Sequence, residues 1–184
     1  MSLETSGGAI YVWKKEVFDL SGNCIDVSES TNLFVDTGRV NMIKGCFPFT
    51  TSAVQMVAMS VGASSTAPDY PDDRLKYEFL GQSPRYSLTK VGGAALPFAD
   101  VDINSVQQAV SGYLSRKNLQ VQATLDYTDG NNGQTIQEYG IHSTMTLPGT
   151  PTGLSGLMAN RWVDGSPTTK TVLIKIVVTI TVYI

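Results

Sequence analysis

The sequence predicts an all-β fold: an antiparallel β-sandwich, jelly-roll-like, with one short helix and an N-terminal strand or arm. Three observations lead there. Over residues 170–184, Val172, Ile174, Ile176, Val178, Ile180, Val182 and Ile184 fall on one face, opposite Thr171, Leu173, Lys175, Val177, Thr179, Thr181 and Tyr183. A period of two in β-branched and aromatic residues marks a strand. Residues 119–127 alternate as cleanly, with Leu119, Val121, Ala123, Leu125 and Tyr127 facing in and Gln120, Gln122, Thr124 and Asp126 facing out. Finally, Gly-, Pro- and Asn-rich turn signals separate short apolar runs, and helical periodicity is scarce.

From the N-terminus, residues 9–20 (AIYVWKKEVFDL) form a strand, and Ser21-Gly22-Asn23 turns it into an extended return through Cys24 to Val27. Residues 31–45 carry the helical pattern, with Leu33, Phe34, Val40 and Ile43 able to share a face. Residues 54–61 (VQMVAMSV) read as an apolar strand, and the prolines and aspartates of 65–74 make that stretch irregular. Residues 75–80 and 86–91 are shorter strands, while 103–117 has helical spacing interrupted by Gly112. The turn at 129–133 joins 119–127 to a partner strand at 135–145 as a hairpin. A strand at 157–163 then turns at Asp164-Gly165-Ser166-Pro167 into the closing strand, about 50 Å long if fully extended. A closing strand this apolar needs cover from the fold or from a neighbouring subunit.

The chain has 184 residues, 42% of them hydrophobic and 16% charged, which suits one domain with a sizeable core. A net charge of −3 with scattered Lys and Arg argues against nucleic acid as a partner. An apolar, weakly charged surface suits protein contacts. Cys24 and Cys46 lack the spacing of a disulfide framework or a zinc site and read as free, buried or half-buried thiols. No secretory leader is expected at the polar N-terminus, and the closing strand is too short and polar to cross a membrane.

Little points to catalysis. His142 is the single histidine, so paired-histidine metal sites and histidine-based triads have one place to be, and a surface or interface histidine is the plain reading. Asp126, Asp129, Asn131 and Asn132 offer oxygen ligands, and either a bare hairpin turn or a Ca²⁺ site fits them. Tyr11, Trp13, Tyr113, Tyr127, Tyr139 and Trp162 can build a sugar platform or fill core and interface. No catalytic, cofactor or metal residues are assigned, and an enzyme is not expected. Glu138, on a strand between Ile136 and Ile141, has a candidate partner in Arg161 on the neighbouring strand, an ion pair that would fix the register between them.

Read in order, Asn32-Leu-Phe-Val-Asp-Thr-Gly38, Met59-Ser-Val-Gly-Ala-Ser-Ser-Thr-Ala-Pro68, Asp72-Asp-Arg-Leu75, Ile136-Gln-Glu-Tyr-Gly-Ile141, Leu157-Met-Ala-Asn-Arg-Trp162 and the long strand after Lys170 resemble small β-sandwich structural proteins of tailed-bacteriophage virions. The resemblance covers roughly residues 30–184 and departs from the family at Tyr139, between Glu138 and Gly140. It implies a virion protein assembled in the host cytoplasm: a capsid decoration or cement protein, or a tail, collar or fibre-adaptor protein. Such proteins are often homotrimers, with the major capsid protein or other virion proteins as partners. A carbohydrate-binding module is the alternative from another class. On this reading residues 1–30 form a strand or arm, 31–184 form the sandwich, and Ile10, Tyr11, Val12 and Trp13 make a docking interface.

Overall fold

The computed structural model describes residues 10–36, 38–41, 55–72, 75–76, 78–79, 85–96, 118–129, 133–143 and 158–183. Its strands are β1 (Ile10–Phe18), β2 (Cys24–Phe34), β3 (Ala58–Gly62), β4 (Tyr86–Ser87), β5 (Thr89–Lys90), β6 (Asn118–Leu125), β7 (Thr135–His142), β8 (Met158–Thr169) and β9 (Lys175–Tyr183). All pair antiparallel, in the order β4-β3-β7-β8-β2-β1-β9-β6-β5.

The ladder folds into two packed sheets. β2 belongs to both. From Cys24 to Asn32 it pairs with β1, and at Leu33 and Phe34 it pairs with Arg161 and Asn160 of β8. At the opposite edge β4 pairs with β3 and β5 pairs with β6, with only Leu88 between them. The two ends of the strand order are therefore joined by one residue. Strands that switch sheets make the corners of such packings, and closure leaves fewer open edges to recruit other chains.

The inward faces follow the alternation in the sequence. Ile176, Val178 and Ile180 of β9, Trp13 and Val17 of β1, Ala123 and Leu125 of β6, and Ile136, Tyr139 and Ile141 of β7 meet in one core with Met59, Val61 and Trp162. Trp13, Tyr139 and Trp162 stack at its centre, with ring centroids 4.9 Å apart for Tyr139 and Trp162 and 5.6 Å for Trp13 and Trp162. Each large side chain buried here contributes roughly 1.5–3 kcal/mol of transfer free energy.

The outer face of the β3-β7-β8 sheet is covered too, by chain from the segment between β3 and β4. Leu75 packs with Val35 and Met158 in a second small core. Gly140 permits this, because a Cβ there would lie 2.8 Å from Leu75 Cδ2 and 3.1 Å from both His142 Nε2 and Met158 Sδ.

Several expectations need correction. β6 and β7 are not a hairpin: β6 pairs with β9 and β5, β7 with β3 and β8, and the chain between them crosses from one sheet to the other. The turn residues suit either connection, and the choice is made by the eight-residue β6–β9 register (Asn118↔Tyr183 to Leu125↔Ile176). Nor do residues 164–167 turn the chain into the closing strand. Glu138 pairs with Val163 and Ile136 with Thr168, so these residues bulge out within β8. The reversal comes at 171–174, which shortens the closing strand to Lys175–Tyr183.

Residues 31–34 end β2 rather than begin a helix, and helical backbone appears at 36 and 38–41. Of residues 75–80, the described ones (75, 76, 78 and 79) form no strand, and Glu78 makes an isolated bridge to Gly62. Of the strand or arm expected at the N-terminus, residues 10–18 are a strand, β1, which lies between β2 and β9 inside the ladder. The segment 103–117 lies outside the described residues.

Filling the close approach at Gly140 should be costly. Gly140→Ala is expected to lower stability by about 1–3 kcal/mol, as overpacking does, measured by urea unfolding of the two proteins side by side.

Candidate functional site

From Met158 to Asp164, with Val163 half-buried, β8 is covered on both faces, and each face carries a charge. On the outer face Arg161 is fully buried. Its Nε donates to Glu138 Oε1 at 2.6 Å and its Nη1 to Asp72 Oδ2 at 2.9 Å, while Nη1 and Nη2 also donate to the carbonyls of Ala67 and Thr66. Glu138 Oε1 in turn accepts the Lys76 amide at 2.6 Å. Burial works against the Asp72 carboxylate, but Lys76, 2.6 Å away, the Asp69 amide and Arg161 together hold its pKa below the ordinary value. The pair foreseen from sequence thus sits inside a larger cluster that binds residues 66–72 and 75–76, which form no strand or helix, to the sheet.

On the inner face the bulge at 164–167 turns Asp164 towards β1. Lys15 shares the core-facing parity of Trp13 and Val17, and neither Lys15 nor Asp164 is more than 1% exposed. Lys15 Nζ donates to Asp164 Oδ2 and the Ser166 carbonyl, each at 2.5 Å, and to Thr168 Oγ1 at 2.7 Å. Asp26 Oδ2 lies 3.5 Å from the same nitrogen. Ser28 Oγ donates to Asp164 Oδ2 and the Ser166 amide to Asp164 Oδ1. Sequence reading missed this centre because Asp164 looked like a turn residue. The signal was present in the parity of β1, which puts a lysine in line with its core residues.

Two further polar pairs lie on the outer face. Arg85 grips Glu78 through Nε at 2.9 Å and Nη2 at 3.2 Å. His142 is buried, not at a surface or interface, with Nε2 2.6 Å from Ser60 Oγ. This superficially resembles a nucleophile and its base. Burial, assisted by Arg85, pushes the His142 pKa down to about 3, so the ring is too weak a base to take the serine proton at neutral pH. Among the described residues its Nδ1 has no hydrogen-bond partner to orient it.

The four proposed docking residues divide. Trp13 is fully buried, and its Nε1 donates to Asn160 Oδ1 at 2.8 Å, which places it in the core and not on a docking surface. Tyr11 and Val12 are half-buried, and Ile10 opens β1 opposite Tyr183. Tyr11 also lines an apolar cavity of about 310 Å³ with Met56, Leu88, Val121, Ile141 and Val182, where burial pushes its phenol up to about 12. Cys24 is exposed, and Cys46 lies outside the described residues. Of the turn at 126–132, Asp126 to Asp129 are described. There the Asp126 amide donates to the Asp129 carboxylate.

The buried charges set two expectations. In a double-mutant cycle on Glu138→Gln and Arg161→Met, each single change should cost about 3–5 kcal/mol and the double change clearly less than their sum, since each single leaves a charge stranded. Urea unfolding of the four proteins checks it. The second concerns acid. The folded pKa of His142 lies below its unfolded value of 6.5, so the unfolded chain binds the proton first as pH falls. The stabilising effect of a neutral, buried His142 is therefore complete above the unfolded value and is lost between about pH 6.5 and pH 3, by up to about 1.4 kcal/mol per pH unit. In unfolding free energies measured from pH 7 to pH 4.5, the decline should be shallower in His142→Gln than in the parent.

Compared with family models, curated proteins and solved structures, the chain matches none.

Proposed function

We propose that this chain is a structural component of a tailed-phage virion, a decoration or cement protein on the head exterior that binds through one apolar end. The observation that carries the reading is the distribution of exposed apolar side chains. Leu20, Ile25, Val27, Val172 and Leu173 are each more than half exposed. The β1–β9 register pairs Phe18 with Lys175, so the turn after β1 lies beside the turn before β9, and β2 leaves the same turn carrying Ile25 and Val27. Neighbouring exposed apolar groups of this kind suit a protein contact.

Its partners are further copies of the chain, as a homotrimer, and the major capsid protein. Small contacts of this type become firm when symmetry repeats them. A tail, collar or fibre-adaptor role would use the same surface at lower copy number. The sugar-binding alternative loses support, because Trp13, Tyr139 and Trp162 are core residues with no more than 2% exposure.

Quantitative mass spectrometry of purified particles should give a ratio near parity with the major capsid protein. A few copies per particle would move the assignment to the tail or collar, and absence would end the virion reading. Replacing both Ile25 and Leu173 with glutamate should strip the protein from particles while leaving its melting temperature within a few degrees of the parent. Retention of both charged residues on intact particles would show that binding does not use this end.

A further inference from the structure

We infer that Lys15 and Asp164 condense to form an intramolecular isopeptide bond that staples β1 to β8 across the core. The two residues stand 149 positions apart in sequence, yet the amine nitrogen and a carboxyl oxygen lie 2.5 Å apart. Both side chains are essentially sealed from solvent. Holding a pair as ions in such surroundings carries a large desolvation penalty. Proton transfer from ammonium to carboxylate makes both groups neutral, and leaves a free amine against a carboxylic acid, the reactants for amide formation. Fixed contact replaces the high concentrations that this reaction needs in solution.

The surroundings supply the remaining parts. The Ser166 amide donates to Asp164 Oδ1, the oxygen on which negative charge develops when the carbonyl is attacked. Ser28 Oγ donates to Oδ2, the oxygen that departs. The Ser166 carbonyl and Thr168 Oγ1 orient the amine. Asp26, 3.5 Å from Nζ, stands where a carboxylate can take a proton from the attacking nitrogen and return it to the leaving hydroxyl. Trp13 and Trp162, each two positions away on the same strand face, stack beside the centre and help to keep water out.

The balance is closed. The Nζ–Cγ bond forms, the Cγ–Oδ2 bond breaks, and Oδ2 leaves as water with protons that originate on Nζ. Nothing is oxidised or reduced, and no cofactor takes part.

Intact mass spectrometry of the denatured full chain tests this. The expected mass is below the sequence mass by one water, about 18 Da, and proteolysis should yield a branched peptide joining Lys15 to Asp164. Lys15→Arg keeps the cation but cannot condense under these conditions, so it should return to its full sequence mass. Asp164→Asn should react with loss of ammonia in place of water. The Asp164-Gly165 step can also lose water by closing on its own backbone. That product would persist in Lys15→Arg and give no branched peptide, and finding it would overturn the inference. A parent protein at its full sequence mass would overturn it as well, whether or not the variants fold.

Discussion

A charge removed from water must find a partner or it unfolds the structure around it, and β8 places one charge on each of its buried faces. Arg161 points outward beneath Thr66, Ala67 and Asp72, and Asp164 points inward to the core. Much of the architecture follows from meeting those two demands. Arg161 needs Glu138, so β7 and β8 take one register. It also needs Asp72 and two backbone carbonyls, so an otherwise irregular stretch is held against the sheet. Asp164 needs Lys15, and the bulge in β8 provides the extra residues that let it turn in. Hydrophobic burial drives the collapse, while these polar demands select which collapsed arrangement is native.

Closure acts on the same arrangement from outside. With β2 serving both sheets and Leu88 joining β4 to β5, a shift in one sheet has to be accommodated in the other. Such coupling between the sheets would suit the proposed role in a particle. Its strongest electrostatic contacts are internal, and among the described residues five of the eight large apolar side chains left exposed, Leu20, Ile25, Val27, Val172 and Leu173, lie on or beside adjoining turns, while Val40, Tyr70 and Val91 lie elsewhere. Binding by such a surface would be dominated by apolar contact, with little long-range steering, in keeping with a net charge of only −3.

How much of this was legible in the sequence depends on distance along the chain. The alternations of β6 and β9 are local, and they predict which residues face the core. Pairing is not local. The turn residues at 129–133 are equally compatible with a hairpin and with a crossing between sheets, and only the competition for β9 decides. Asp164-Gly165-Ser166-Pro167 has turn composition, yet a bulge uses the same residues. Glu138 and Arg161 could be matched because each is a charge set among apolar strand residues. The other members of that cluster come from an irregular segment whose path has no periodicity to read. Gly140 looks unremarkable in the sequence, and its reason is a leucine sixty-five positions earlier that presses against it.

The central claim is that Arg161 and Glu138 make the irregular segment part of the folded core. Hydrogen–deuterium exchange resolved to single amides tests it most directly. The account predicts that the amides of Asp72, which donates to the Asp69 carbonyl, and Lys76, which donates to Glu138, exchange about as slowly as those of β7. Exchange of both within seconds, as for a solvated loop, while β7 stays protected would show that the segment opens independently of the sheet and would contradict the account.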